Sequence, residues 1–180
     1  DEIFAFKSGL YKAKVESGAI ALRPGVARLI EEAAAAGIRL AVATTTGRTN
    51  VETLIRQCLG ERVVGLFETW ATGDMARRKK PDPELYLMAL DQLGLPAPAC
   101  IPTENPALGA TAAARAGIAV VMAPSRYTAE DPLDLAVAAV DHLGDPGLPC
   151  RALAGERPAG EFVTLADLDA WNAAATAAAT

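Results

Sequence analysis

Four times along this chain a helix-length stretch with apolar residues at helical spacing is followed by a compact apolar run that does not alternate with polar residues. Pro24 opens the first such helix, GVARLIEEAAAAG, Gly37 closes it, and the run Arg39–Ala43 follows. A helix expected at Asn50–Leu59 leads to a strand near Thr69–Ala71. The helix Pro83–Leu93 leads to Ala99–Ile101, and Ala107–Ala116 leads through Gly117 to Ile118–Met122. A last short run, Ala136–Val140, ends the series. Short apolar runs without alternation suit strands buried on both faces, as the strands of a parallel sheet are. Strands alternating with helices therefore predict an α/β fold with a mostly parallel sheet.

The two ends read differently. Asp1–Ser17 places Ile3, Phe6, Leu10 and Ala13 on one face of an amphipathic helix that Gly18 stops. Near the other end GDPGLPCRALAGERPAGEF, rich in Gly and Pro, predicts a loop. Val163–Leu165 predicts a short strand, and the Ala-rich Asp167–Thr180 a surface helix.

Composition narrows the function classes. The net charge is -5, and the only basic cluster is Arg77, Arg78, Lys79 and Lys80, so no basic stripe interleaved with aromatics speaks for nucleic acid. Cys58, Cys100, Cys150 and the single histidine, His142, offer neither zinc-ligand spacing nor a Cys/His nucleophile pair. The cysteines read as buried thiols in a reducing compartment, hence a cytoplasmic protein. No apolar run approaches the roughly 20 residues that span a bilayer, so no membrane partner is expected. The opening DEIFAFKSG is not a signal peptide and lacks an initiating Met, which points to an N-terminus further upstream.

Parallel α/β sheets bind ligands beyond the carboxyl ends of their strands. After Arg39–Ala43 stand Thr44, Thr45 and Thr46, whose hydroxyls and backbone N–H groups suit a phosphate; a Thr run there also serves as a helix cap. After the strand near Thr69 comes GDMARRKKPDP, where Lys80 precedes Pro81. A lysine so placed neutralises a transferring phosphoryl group, and the same cluster also suits a solvated turn. After Ala99–Ile101 stand Thr103, Glu104 and Asn105, oxygen ligands for a hard cation or a capping pair for the next helix.

Taken together, these motifs resemble the haloacid dehalogenase superfamily, in its CbbY and phosphoglycolate-phosphatase-like branch. The resemblance rests on SGAIALRPGVARLI, LAVATTTGRTNVETL, GDMARRKKPDPELYLMALDQLGL and AAARAGIAVV. It implies a three-layer Rossmann-like core over residues 19–180 and a remnant of a helical cap over residues 1–18, where Lys7 reads as a solvated helix lysine or else a remnant of substrate contact. It also implies a Mg2+-dependent phosphatase of small phosphorylated metabolites, sugar phosphates foremost, working through an aspartyl-phosphate. Thr44 and Lys80 match the family's catalytic hydroxyl and lysine, Thr45 and Lys80 its substrate-binding groups. Glu104 and Asn105 match the acidic pair of the metal site, and Gly109 the glycine that follows it.

The sequence departs from the family pattern in two places. No DxDGT-type strand precedes the first helix, and the expected Glu-Asp-Ser reads Glu104-Asn105-Pro106. In this fold the opening strand is central, so its loss would bare the edges at Arg39–Ala43 and Ala99–Ile101. A segment ahead of residue 1, a second chain filling the gap, or an adapted fold would each answer this. The 180 residues by themselves are expected to bind phosphate without turnover; the alternative reading is an inactive pseudophosphatase that binds a ligand or protein.

Overall fold

The computed structural model of the protein describes residues 17–178 and, ahead of them, positions 6, 9, 10 and 13–15. The helix expected over Asp1–Ser17, Lys7 included, thus lies largely outside the described residues. From Gly18 on, the chain runs α1 (Val26–Ala35), β1 (Leu40–Ala43), α2 (Arg48–Leu59), the single turn α3 (Glu61–Val64) and β2 (Phe67–Ala71). It continues through α4 (Glu84–Leu93), a 3-10 turn (Ala97–Ala99), β3 (Thr103–Glu104), α5 (Ala107–Arg115) and β4 (Val120–Met122). The remaining elements are β5 (Ala136–Val140), β6 (Ala152–Gly155) and α6 (Leu165–Ala178).

β1 and β2 pair in parallel, as do β3 with β4 and β4 with β5, while β6 joins β5 antiparallel. The central β4 shows why a non-alternating run was the right signal. Val120, Val121 and Met122 are all fully buried, yet Val120 and Met122 pack with Tyr86, Ala110 and Ala113, and Val121 packs with Leu29, Val140 and Trp171. Both faces of the sheet are covered, α4 and α5 on one side and α1 and α6 on the other. Burying each such Val or Met contributes roughly 1.5–3 kcal/mol. The result is a three-layer α/β fold.

The segment Arg23-Pro24-Gly25 fastens α1 to the sheet. The Arg23 guanidinium donates to the carbonyls of Ala123, Pro124 and Asp141, and Gly25 N–H donates to Asp145 Oδ2 at 2.8 Å. Gly25 has φ 85, and a Cβ there would lie 2.5 Å from the Gly144 carbonyl oxygen, so only glycine fits.

Four expectations are corrected. The strand placed at Ala99–Ile101 lies further on, at Thr103–Glu104, and Ala97–Ala99 is a 3-10 turn. Pro102 lacks an N–H, and pairing with β4 begins only at its carbonyl, which accepts Val121 N–H at 3.0 Å. The Gly/Pro-rich stretch contains a strand, β6, whose small residues carried little β signal, and no strand forms at Val163–Leu165. Val163 is instead a buried residue, its N–H bound to the Leu143 carbonyl, ahead of α6. That helix is not wholly at the surface, because Asp167 and Trp171 are buried on its inner face.

The sheet is in two pieces, β1–β2 and β3–β4–β5–β6. Between them runs a cleft of about 670 Å³, lined by Leu40, Ala41 and Ala43 of β1, Ile101 to Glu104 about β3, and apolar residues of α1 and α4. The edges of β1 and β3 that face each other are not hydrogen-bonded together.

Candidate functional site

Lys80 joins the two pieces of the sheet at their carboxyl ends. Its ammonium donates to the Ala43 carbonyl, the last residue of β1, at 2.9 Å and to Glu104 Oε1, the last residue of β3. Both side chains are largely buried, with 8% and 10% of their surface exposed. A buried pair of this kind survives only when further hydrogen bonds satisfy it. Tyr86 supplies one, its hydroxyl donating to Glu104 Oε1.

Local chemistry aims Lys80 inward. Glu84, in the first turn of α4, accepts Arg77 N–H at 2.8 Å and Arg78 N–H at 2.9 Å, and its carboxyl is held below the usual range chiefly by those two donors. This gathers the basic loop so that Arg77, Arg78 and Lys79 stay exposed while Lys80, joined to Pro81 by a cis peptide, turns in. The solvated-turn reading therefore holds for three of the four basic residues and fails for Lys80.

Thr44 follows Ala43 directly, so the hydroxyl corner and the lysine meet at one strand end. Thr44 N–H donates to the Ala71 carbonyl, and Thr44 Oγ1 accepts Thr46 N–H at 3.1 Å in a tight turn. Thr44 is half-buried and Thr45 exposed. None of these threonines caps α2. Asp74 serves there instead, accepting Arg48 N–H, with its carboxyl held low first by the Thr72 hydroxyl and then by backbone donors. Gly73 lets the turn and the β2 end touch, since a Cβ at that position would lie 2.0 Å from the Thr45 carbonyl oxygen.

At the third corner, Gly109 makes the seat of Glu104, because a Cβ there would lie 2.0 Å from Glu104 Oε2. Glu104 and Asn105 do not cap α5. Pro106 stands at the N-cap without a side-chain hydrogen bond, and Asp131 from a distant loop accepts Ala107 N–H at 2.8 Å. Asn105 Oδ1 accepts Ser125 N–H at 3.2 Å and the Thr128 hydroxyl.

These facts bear on a cation. Among the described residues no group of three or more His, Cys, Asp or Glu side chains comes together to hold a metal ion. Glu104 Oε1 is taken by Lys80 and Tyr86, and Asn105 Oδ1 by Ser125 and Thr128. The described residues thus do not by themselves fit Mg2+, which wants near-octahedral oxygen ligation with carboxylate charge.

Lys80 and Glu104 come together as the sequence predicts, and Thr44 adjoins them through Ala43, whereas Asn105 is tied elsewhere and no hydrogen bond among the described residues joins Thr45 to them. Tyr86 was missed, although its position in the first turn after Asp82-Pro83 put it on the same helix face as the core. His142 and the half-buried thiols of Cys58, Cys100 and Cys150 stay outside the Lys80 cluster, and all three cysteines are free. Burial pushes the Cys100 and Cys150 thiols up. Among the described residues no helix is long and apolar enough to cross a membrane.

Residues 2–123 match the family of haloacid dehalogenase-like hydrolases. The plasmid-encoded protein CbbY of Cupriavidus necator is 39% identical over 173 residues, covering 96% of this chain and 67% of that protein. The crystal structure of CbbY from Rhodobacter sphaeroides in complex with phosphate superposes with a TM-score of 0.75 at 40% identity, over 81% of this chain and 65% of that one. A mutant of the same protein in complex with xylulose-(1,5)bisphosphate gives a TM-score of 0.75 at 41% identity, over 82% and 67%. The chain spans between 55% and 67% of the length of the bacterial CbbY proteins it matches. The two-piece α/β sheet, the hydroxyl–lysine–glutamate cluster at its carboxyl ends and this similarity agree: the chain belongs to the haloacid dehalogenase-like hydrolases, in their CbbY branch.

Proposed function

We propose that this chain forms the phosphate-binding part of a phosphatase acting on small phosphorylated sugars. The observation that carries the reading is the Lys80 ammonium, held between the Ala43 carbonyl and Glu104 at the ends of β1 and β3. A fixed, largely buried cation beside a hydroxyl corner is what a transferring phosphoryl group requires, since catalysis there is mostly positioning and charge stabilisation. Lys80 neutralises the phosphoryl oxygens, Thr44 and its backbone turn bind them, and Thr45, exposed on the rim, contacts the substrate. The phosphate and xylulose-(1,5)bisphosphate held by the CbbY structures support a phosphorylated sugar as the ligand class.

The cleft between β1 and β3 is the seat of the strand that carries the family's aspartates. It is largely apolar, has a strand edge on each side, and is lined at its carboxyl end by Glu104, the carboxylate that Lys80 bonds. Mg2+ belongs to the same proposal. Glu104 and, on release of Ser125 and Thr128, Asn105 would be its ligands from this chain, and they bring one negative charge between them. The remaining carboxylates would come with the strand in the cleft. Three free thiols accord with a cytoplasmic setting.

Calorimetric titration with inorganic phosphate tests the reading. The 180-residue chain is expected to bind phosphate, Lys80→Ala and Thr44→Val to lose it, and neither the chain nor the variants to hydrolyse sugar phosphates. A chain extended by a strand carrying the family's aspartates, assayed on a panel of sugar phosphates with Mg2+, is expected to turn over. Phosphate binding that survives Lys80→Ala, or hydrolysis by the chain alone, rules the assignment out.

A further inference from the structure

The lysine at the centre of the cluster is held from two sides by one residue to which the proposed reaction gives no part. A lysine ammonium has three donors. In Lys80 one goes to the Ala43 carbonyl at 2.9 Å and one to Glu104 Oε1, and the third finds only the distant Tyr86 hydroxyl, at 3.5 Å. The Tyr86 ring lies beneath, with Nζ 4.5 Å from its centroid, and the Tyr86 hydroxyl oxygen is 3.5 Å from Nζ, at the long limit of a hydrogen bond. The same hydroxyl donates to Glu104 Oε1. Tyr86 thus touches the ammonium through its ring face and the carboxylate through its hydroxyl.

Its own position is fixed from behind. Tyr86 is 5% exposed and packs with Ala110, Ala113 and Met122 where α4 and α5 meet the sheet. Its hydroxyl faces the carboxylate as a hydrogen-bond donor. By sharing the Glu104 oxygen, the hydroxyl keeps the carboxylate from drawing the ammonium wholly to itself. The ring face, attractive to a cation, stops the ammonium from swinging into the core.

We propose that Tyr86 is a positioning residue, whose ring and hydroxyl together set the direction of the Lys80 ammonium so that its third donor is presented to one phosphoryl oxygen. The last clause rests on the phosphate reading above; the positioning itself does not.

The substitution that isolates the hydroxyl is Tyr86→Phe, which keeps the ring and its packing. In protein carrying 13C-labelled lysine, with Lys80→Arg to assign the signal, ring current should move the two Lys80 Hε protons upfield and make them inequivalent. In Tyr86→Phe the inequivalence is expected to fall by at least half, and the Kd for inorganic phosphate to rise about tenfold, with the fold retained by circular dichroism. Glu104→Gln, which leaves an acceptor for the hydroxyl, is expected to keep the signature. A purely packing role moves neither quantity, so an unchanged Hε signature in Tyr86→Phe, or its loss in Glu104→Gln, overturns the proposal. Expected Hε behaviour in a chain that binds no phosphate leaves the positioning standing and removes the phosphate reading.

Discussion

Gly109 sits inside the first turns of α5, where intrinsic propensity and tertiary geometry predict opposite outcomes for alanine. On propensity alone Gly109→Ala should stabilise by about 1 kcal/mol, because glycine is the poorer helix former. The structure argues the reverse. A Cβ built there lies 2.0 Å from Glu104 Oε2, 2.3 Å from its Cδ and 2.8 Å from Oε1, so the carboxylate must leave its seat. With it go the hydrogen bond from Tyr86 and the contact with Lys80, whose side chain is 8% exposed. Breaking a buried pair costs about 3–5 kcal/mol. The neighbouring cleft lets water reach the displaced carboxylate, so the lower end applies, about 3 kcal/mol. Set against the propensity gain, the net is about 2 kcal/mol of destabilisation. In urea, with a slope of about 2 kcal/mol/M, the midpoint should fall by about 1 M at unchanged slope. In a Glu104→Ala background the clash has no object, and Gly109→Ala should then be neutral or stabilising by about 1 kcal/mol. A single Gly109→Ala variant as stable as the parent chain would refute the reasoning.

Three further outcomes follow from the structure. Gly73→Ala should destabilise by about 2–3 kcal/mol and weaken phosphate binding, because the atom in its way is the Thr45 carbonyl oxygen, which unlike a side-chain tip cannot swing aside; thermal melts and phosphate titration check this. Trp171→Ala should cost about 3–5 kcal/mol by large-to-small truncation under the sheet, measured by urea unfolding. For Asp167, burial works against the charge, but the Thr164 hydroxyl and the N–H groups of Ala159 and Thr164 outweigh it and hold the carboxyl below its usual range. Its stabilisation is therefore intact above the ordinary Asp pKa of about 4 and lost as pH falls through the depressed folded value, so Asp167→Asn should lower stability at pH 7 and flatten the acid side of a stability-against-pH curve.

Much of the candidate site was legible from spacing. Lys80 before Pro81, the threonines after Ala43 and Glu104 after a short apolar run stood at strand ends, and strand ends are where an α/β sheet meets its ligand. Tyr86 was not legible, because an aromatic residue in the first turn of an amphipathic helix reads as core, and it is core as well. The pair Thr164 and Asp167 was legible in principle, since Thr-x-x-acid ahead of an apolar run is a capping box, here closed by Thr164 N–H to Asp167 Oδ2 and Asp167 N–H to Thr164 Oγ1.

What the sequence by itself determined is the alternation of helices with strands buried in a parallel sheet, though not β6 or the exact place of β3. Val120, Val121 and Met122 are apolar without alternation, and only a strand covered on both faces satisfies all three at once. What only the tertiary structure decided is every relation between residues far apart in the chain. Asn105 is tied to Ser125 and Thr128, and Asp131 supplies the N-terminus of α5 that Pro106 leaves uncapped. The sheet parts between β1 and β3, and Lys80 spans the parting. The physical reason is range. Side-chain periodicity and capping act over a few residues and are written locally. Hydrogen bonds and ion pairs between strand ends instead depend on loop paths that no local pattern encodes.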